Sequence, residues 1–163
     1  MFPSDIDDLA TAVLSAARAK GLKVATAESC TGGLVAGALA GIAGSSEVIG
    51  YGFVTYANAA KARLLGVPET TLQTHGAVSR ETAVAMATGA LEESGADLVV
   101  AITGVAGPGG GSAEKPVGLV WFAVARRGSE AQATERRYGD LGRQAVRLAA
   151  VRTALELLLS AAA

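Results

Sequence analysis

Cysteine and histidine are almost missing from this sequence of 163 residues: Cys30 and His75 stand alone. One cysteine cannot close an internal disulfide or build a thiolate metal site, and a zinc site with one histidine would need carboxylates for its remaining ligands. No metal site is expected. Charge is also scarce, at 18% of residues, with 14 Lys and Arg against 15 Asp and Glu and a net charge of −1. A broad basic face for nucleic acid is therefore excluded, although a local anion pocket is not. No run of about 18 apolar residues lacks Gly, Pro or charge, so no membrane span is expected. The first residues, Met1-Phe2-Pro3-Ser4-Asp5-Ile6-Asp7-Asp8, are acidic where a signal peptide would be basic. A cytoplasmic protein is expected. Aromatics make up only 4%, while half the residues are hydrophobic and 21 are glycine, so the core has to be built from small aliphatics in close-packed layers. The length suits a single domain spanning 1–163, because domains cluster near ~100–200 residues.

The hydrophobic pattern then sets out the elements. Ser4 with Asp7 reads as a helix cap, and Ile6, Leu9, Ala10, Val13, Leu14 and Ala17 recur at helical spacing up to Gly21. Residues 22–26 read as a strand leading through 27–33 into a small-residue helix ending near Gly41. Residues 48–56 read as a second strand, and Asn58 as the cap of a short helix carrying Lys61. A loop is expected over 68–78, with His75 in it, and then a long helix capped by Ser79. A buried strand over 97–103 enters a glycine-rich loop over 104–116, followed by strands over 117–126 and 131–138 and a last helix over 141–160. Strands alternating with helices and closing in a hairpin predict a three-layer α/β/α sandwich with a mixed, mostly parallel sheet of about five strands. In such sheets ligands bind beyond the carboxyl ends of the strands, which directs attention to 27–33, 56–61 and 103–111.

Each of those segments has a chemical and a plain reading. A strand turning through Glu28-Ser29-Cys30-Thr31-Gly32-Gly33 into a helix can hold a nucleophile or an anion, or Ser29 or Thr31 can simply cap the helix. Lys61 is one of only four lysines and falls in a first helical turn, where the helix dipole disfavours its charge. If desolvated it can serve as a base; otherwise it is a solvated surface charge. The loop from Thr103 and Gly104 through Gly110 and Gly111 can present backbone N–H groups to a phosphate, or be a flexible turn. It is neither a Walker A loop nor a dinucleotide fingerprint. Cys30 with His75 would be a second nucleophile pair, though a lone cysteine is usually a buried hydrophobe. Arg143 and Arg147, one turn apart, could bind phosphate or form an exposed helix face.

Taken together, Glu28-Ser29-Cys30-Thr31-Gly32-Gly33, Gly52-Phe53-Val54-Thr55-Tyr56-Ala57-Asn58 with Lys61, His75-Gly76-Ala77-Val78-Ser79, Ile102-Thr103-Gly104-Val105-Ala106-Gly107-Pro108 and Lys115-Pro116-Val117-Gly118 resemble, in order, the signatures of the CinA C-terminal domain family. The resemblance covers almost the whole chain. Stand-alone members of the PncC type are nicotinamide-nucleotide amidases, which convert nicotinamide mononucleotide to nicotinate mononucleotide and ammonia in pyridine-nucleotide salvage. The resemblance implies Ser29 as nucleophile, Lys61 as its base and Tyr56 as an assisting hydrogen-bonder, with no cofactor. It also implies that Thr103, Gly104, Gly110, Gly111 and Arg143 bind the nucleotide. Helix-terminus chemistry adds Thr31 and Gly32 as the expected oxyanion donors. Two departures stand out. Ala57 replaces a common serine, and the usual Gly-Asp-Arg is interrupted in Gly139-Asp140-Leu141-Gly142-Arg143. The alternative class is a nucleotide-binding module without turnover that acts through a partner. A homo-oligomer is expected from the Ala-rich, weakly charged surface.

Overall fold

Proline and glycine set the bounds of the first helix. In the computed structural model, which describes all 163 residues, Pro3 occupies the cap position and α1 runs from Ser4 to Ala19. The expected Ser4 cap is not made. Pro3 O accepts from the N–H groups of Ile6 and Asp7, and Ser4 is already helical. Asp5 and Asp7 in the first turn and Arg18 in the last complement the helix dipole. β1 (Val24–Glu28) leads to α2 (Leu34–Ala40), and β2 (Ile49–Val54) to α3 (Asn58–Leu65). Ala57, not Asn58, is the cap of α3, with no side-chain bond. The segment expected as a loop over 68–78 contains a further helix, α4 (Glu69–His75), which follows directly on Pro68. Ser79 does cap α5 (Arg80–Ser94), its hydroxyl accepting from Thr82 N. β3 (Leu98–Gly104), β4 (Leu119–Arg126), β5 (Gln132–Arg137) and α6 (Arg143–Ala162) complete the chain.

The strands form one sheet in the order β2-β1-β3-β4-β5. β2, β1 and β3 pair in parallel, and β4 is antiparallel to both of its neighbours, so it alone runs against the other four. The mixed α/β sandwich expected from the sequence is present.

Alternation along the strands divides the core. Val24, Leu98, Val100, Ile102, Val120 and Phe122 face α1, α2 and α6, whereas Ala25, Ala27, Ala101, Ala123 and Ala125 face the alanines and Met86 of α5. Small residues on the second face let α5 lie close to the sheet, so a core almost without aromatics still packs densely. Parallel pairing also brings the carboxyl ends of β1, β2 and β3 to one edge. Ser29, Thr55 and the loop after Gly104 meet there.

Candidate active site

The buried side chain of Lys61 organises this edge. α3 starts immediately after β2 and sends the lysine stem back under the sheet, leaving only 1% of the residue exposed. Its Nζ lies 3.0 Å from Ser29 Oγ, 2.8 Å from Thr55 O and 3.2 Å from Tyr56 O. Burial pushes its pKa below the ordinary 10.5, because the ammonium has lost water. A neutral amine has two N–H donors and one lone pair. Once Lys61 is neutral, the two carbonyls still accept its N–H groups and its lone pair is left for the Ser29 hydroxyl; the ammonium would donate to all three oxygens. No carboxylate forms an ion pair with Lys61 that would hold it charged.

Ser29 itself is buried at the first position after β1, its N–H continuing the sheet to Ile102 O. The turn that follows closes with Gly32 N–H donating to Ser29 O at 3.0 Å. Consequently Gly32 is not a free oxyanion donor, and Thr31 is fully buried behind the turn; neither lines the cleft. Within the turn, Cys30 does line the cleft, and its N–H has no acceptor within the protein. The Ser29–Gly32 bond turns the Ser29 carbonyl one way, and the N–H of the same peptide therefore points the other.

The cleft holds about 270 Å³ and lies between this turn, Ala77 and Val78, and the glycine-rich loop. Ala106, Gly107, Gly109 and Gly110 line it, and their amides find no acceptor within the protein. Gly110 is thus at the cleft as expected, but Gly111 is not. A Cβ on Gly111 would stand 2.9 Å from Val117 N, so its role is to let the loop return. Gly104 does line the cleft, yet its bareness is required by β4, since a Cβ there would stand 2.8 Å from Leu119 O. Thr103 also lines the cleft. Its hydroxyl proton goes to Ala77 O at 2.8 Å, tying two walls together and leaving only its lone pairs for a ligand.

Tyr56, expected to assist by hydrogen bonding, lines the cleft. Its carbonyl faces Lys61 while its phenol, on a residue 57% exposed, accepts from Arg143 Nη2 at 2.8 Å. Arg143 also donates to Gly107 O at 2.8 Å and so reaches the cleft from the start of α6. Arg147 is engaged elsewhere, on Cys30 O and Thr31 O.

Cys30 is buried beside Ser29, and loss of water pushes its thiol up to about 12, which disables it as a nucleophile. His75 sits at the end of α4 with Nδ1 3.6 Å from Glu81, outside the cleft, so the Cys30–His75 pair is not formed. No three His, Cys, Asp or Glu side chains come together in a way that could hold a metal ion.

Sequence reasoning missed Glu28. Its carboxylate is fully buried and accepts from Val35 N at 2.9 Å and Ala36 N at 3.0 Å, capping α2 from the preceding strand. The available signal was negative: the cap position of α2 is Gly33, which has no side chain to cap it.

The family model of the CinA C-terminal domain matches residues 6–162. The chain belongs to the CinA C-terminal domain family. The nicotinamide-nucleotide amidohydrolase PncC of Escherichia coli (strain K12) is 52% identical over 159 residues, covering 97% of this chain and 95% of that protein. A CinA-like protein of Synechococcus sp. (strain RCC307) is 52% identical over 158 residues, 96% of this chain but 38% of that protein. The chain spans 26–38% of the length of several such longer relatives. Among solved structures, competence/damage inducible protein CihA from Agrobacterium tumefaciens is 59% identical with a TM-score of 0.96, covering 98% of this chain and 97% of that one. This CinA C-terminal domain thus matches both short and long relatives.

Proposed function

We propose that the chain hydrolyses the carboxamide of nicotinamide mononucleotide to nicotinate mononucleotide and ammonia, with Ser29 as nucleophile and Lys61 as base, in pyridine-nucleotide salvage. The observation that carries this reading is the 3.0 Å approach of a buried, pKa-lowered Lys61 Nζ to Ser29 Oγ. The substrate is taken from the name of the PncC relative, which matches over nearly the full length of both chains.

Neutral Lys61 accepts the Ser29 proton as Oγ attacks the carboxamide carbon. The oxyanion forms against the Cys30 N–H and the free amides of the glycine-rich loop, replacing the Thr31 and Gly32 donors expected from sequence. The Lys61 ammonium then returns its proton to the departing nitrogen, so ammonia leaves and an ester to Ser29 remains. Water attacks that ester with its proton passing to Lys61, the acid departs, and Ser29 recovers its hydrogen. Arg143, at the rim beside the loop, takes the phosphate of the nucleotide. A homo-oligomer belongs to the same reading.

Ammonia release from nicotinamide mononucleotide tests the proposal in the wild type and in Ser29→Ala, Lys61→Ala and Cys30→Ala. Loss in the first two with survival of the third is expected. Loss in Cys30→Ala alone would overturn the nucleophile. A folded wild type that binds the nucleotide without releasing ammonia would favour a binding module. Light scattering that gives a single-chain mass of 16.2 kDa would remove the oligomer.

A further inference from the structure

Two charged side chains hold the Ser29 turn. Glu28 takes the N–H groups of Val35 and Ala36, where the chain leaves the turn for α2. Arg147, more than 110 residues later on α6, takes the carbonyls inside it: Nε donates to Cys30 O at 3.0 Å and Nη2 to Thr31 O at 3.1 Å. The guanidinium lies against the turn, where a Cβ on Gly32 would meet Nη2 at 3.2 Å. Arg147 forms none of the fold's ion pairs, and it does not line the catalytic cleft. Its two directed contacts are to the Cys30–Thr31 and Thr31–Gly32 peptides, and the second of these carries the N–H that closes the turn on Ser29 O.

We propose that Arg147 is a positioning residue for the nucleophile turn, and that it acts on turnover through the backbone of Cys30 and Thr31 without contacting the substrate. The proposal rests on the Ser29–Lys61 hydrolase reading. Once the guanidinium is removed, both carbonyls must turn to other partners. Rotation of the Thr31–Gly32 peptide withdraws the Gly32 N–H from Ser29 O, which frees the Ser29–Cys30 peptide to turn and with it moves the Cys30 N–H and Ser29 Oγ relative to Lys61. Misplacement of reacting groups by about 1 Å costs on the order of 10²-fold in rate. A planar guanidinium can serve two neighbouring carbonyls from two nitrogens, whereas an ammonium offers a single nitrogen. Lysine is therefore an incomplete substitute.

The test is steady-state hydrolysis of nicotinamide mononucleotide by Arg147→Met and Arg147→Lys, with and without added guanidinium chloride at sub-denaturing concentration. The expected result is a fall in kcat of about 10–100-fold for the Met variant, with little change in KM. A smaller fall is expected for the Lys variant, and partial recovery of the Met variant with guanidinium. Unchanged kcat, or a raised KM with kcat kept, would overturn the proposal; the second result would make Arg147 a substrate ligand. If the Met variant does not fold, the Lys variant carries the test, and wild-type kcat in it would overturn the role. Labelling of Ser29 by a fluorophosphonate, followed by intact mass, separates this proposal from the choice of substrate. If the wild type labels but does not turn over the nucleotide, the substrate is wrong, and slower labelling of the Met variant still upholds Arg147. Equal labelling rates overturn Arg147. A wild type that neither labels nor turns over overturns both readings.

Discussion

Lys61, Cys30 and Arg143 make separable predictions. Removing the base in Lys61→Met is expected to lower kcat by roughly 10²–10⁴-fold, measured as ammonia release. In the wild type, kcat/KM should rise with pH through a limb below 10.5, as Lys61 loses its proton. The same group sets a stability trend. The unfolded chain holds the Lys61 proton up to about its ordinary value, and the folded chain releases it earlier, so the unfolded state binds more protons inside that window. Stability should therefore rise with pH there, and urea midpoints of the wild type relative to Lys61→Met check the sign. Cys30, raised to about 12, should resist alkylation by iodoacetamide at neutral pH unless the protein is unfolded. Arg143→Ala should raise KM more than it lowers kcat if it holds the substrate phosphate. The types and spacing of Ser29 and Lys61 were legible in the sequence, because a lysine in a first helical turn is conspicuous. The direction in which the Tyr56 phenol points, and the engagement of the Gly32 N–H, depend on peptide orientations that no spacing encodes.

Among the elements, the most demanding contact joins α5 to α3. Gly89 lies in mid-helix, where an isolated glycine is ordinarily unfavourable, and its place was not explicable from sequence. The structure explains it: a Cβ there would stand 1.8 Å from Leu65 O at the end of α3. Gly89→Ala should lower stability by about 1–3 kcal/mol or more through overpacking and, because α3 carries Lys61, reduce turnover as well. Thermal melting alongside ammonia release checks both effects. The sequence pattern located β3, α5 and α6 because their periodicities are long. It missed α4, which is short and polar and has no buried residue to impose a period. The capping of α2 by Glu28 was equally hidden, since the acid belongs to the preceding strand.

The whole molecule is asymmetric about its sheet, with large aliphatics toward α6 and alanines toward α5. Composition anticipated a small-residue core but not which face would carry it. Ala123→Leu, on the α5 face, should cost about 1–3 kcal/mol by overpacking, whereas Phe122→Ala, on the other face, should cost about 3–5 kcal/mol by leaving a cavity. Chemical denaturation measures both. The same composition makes the central claim directly observable, because Lys20, Lys23, Lys61 and Lys115 are the only lysines. Nuclear magnetic resonance of protein labelled at the lysine side chains should give four titrations. The account predicts that the signal which disappears in Lys61→Met has its midpoint below 10.5. A Lys61 midpoint at or above 10.5, with the side chain still charged where the enzyme works, would contradict a serine activated by a neutral lysine.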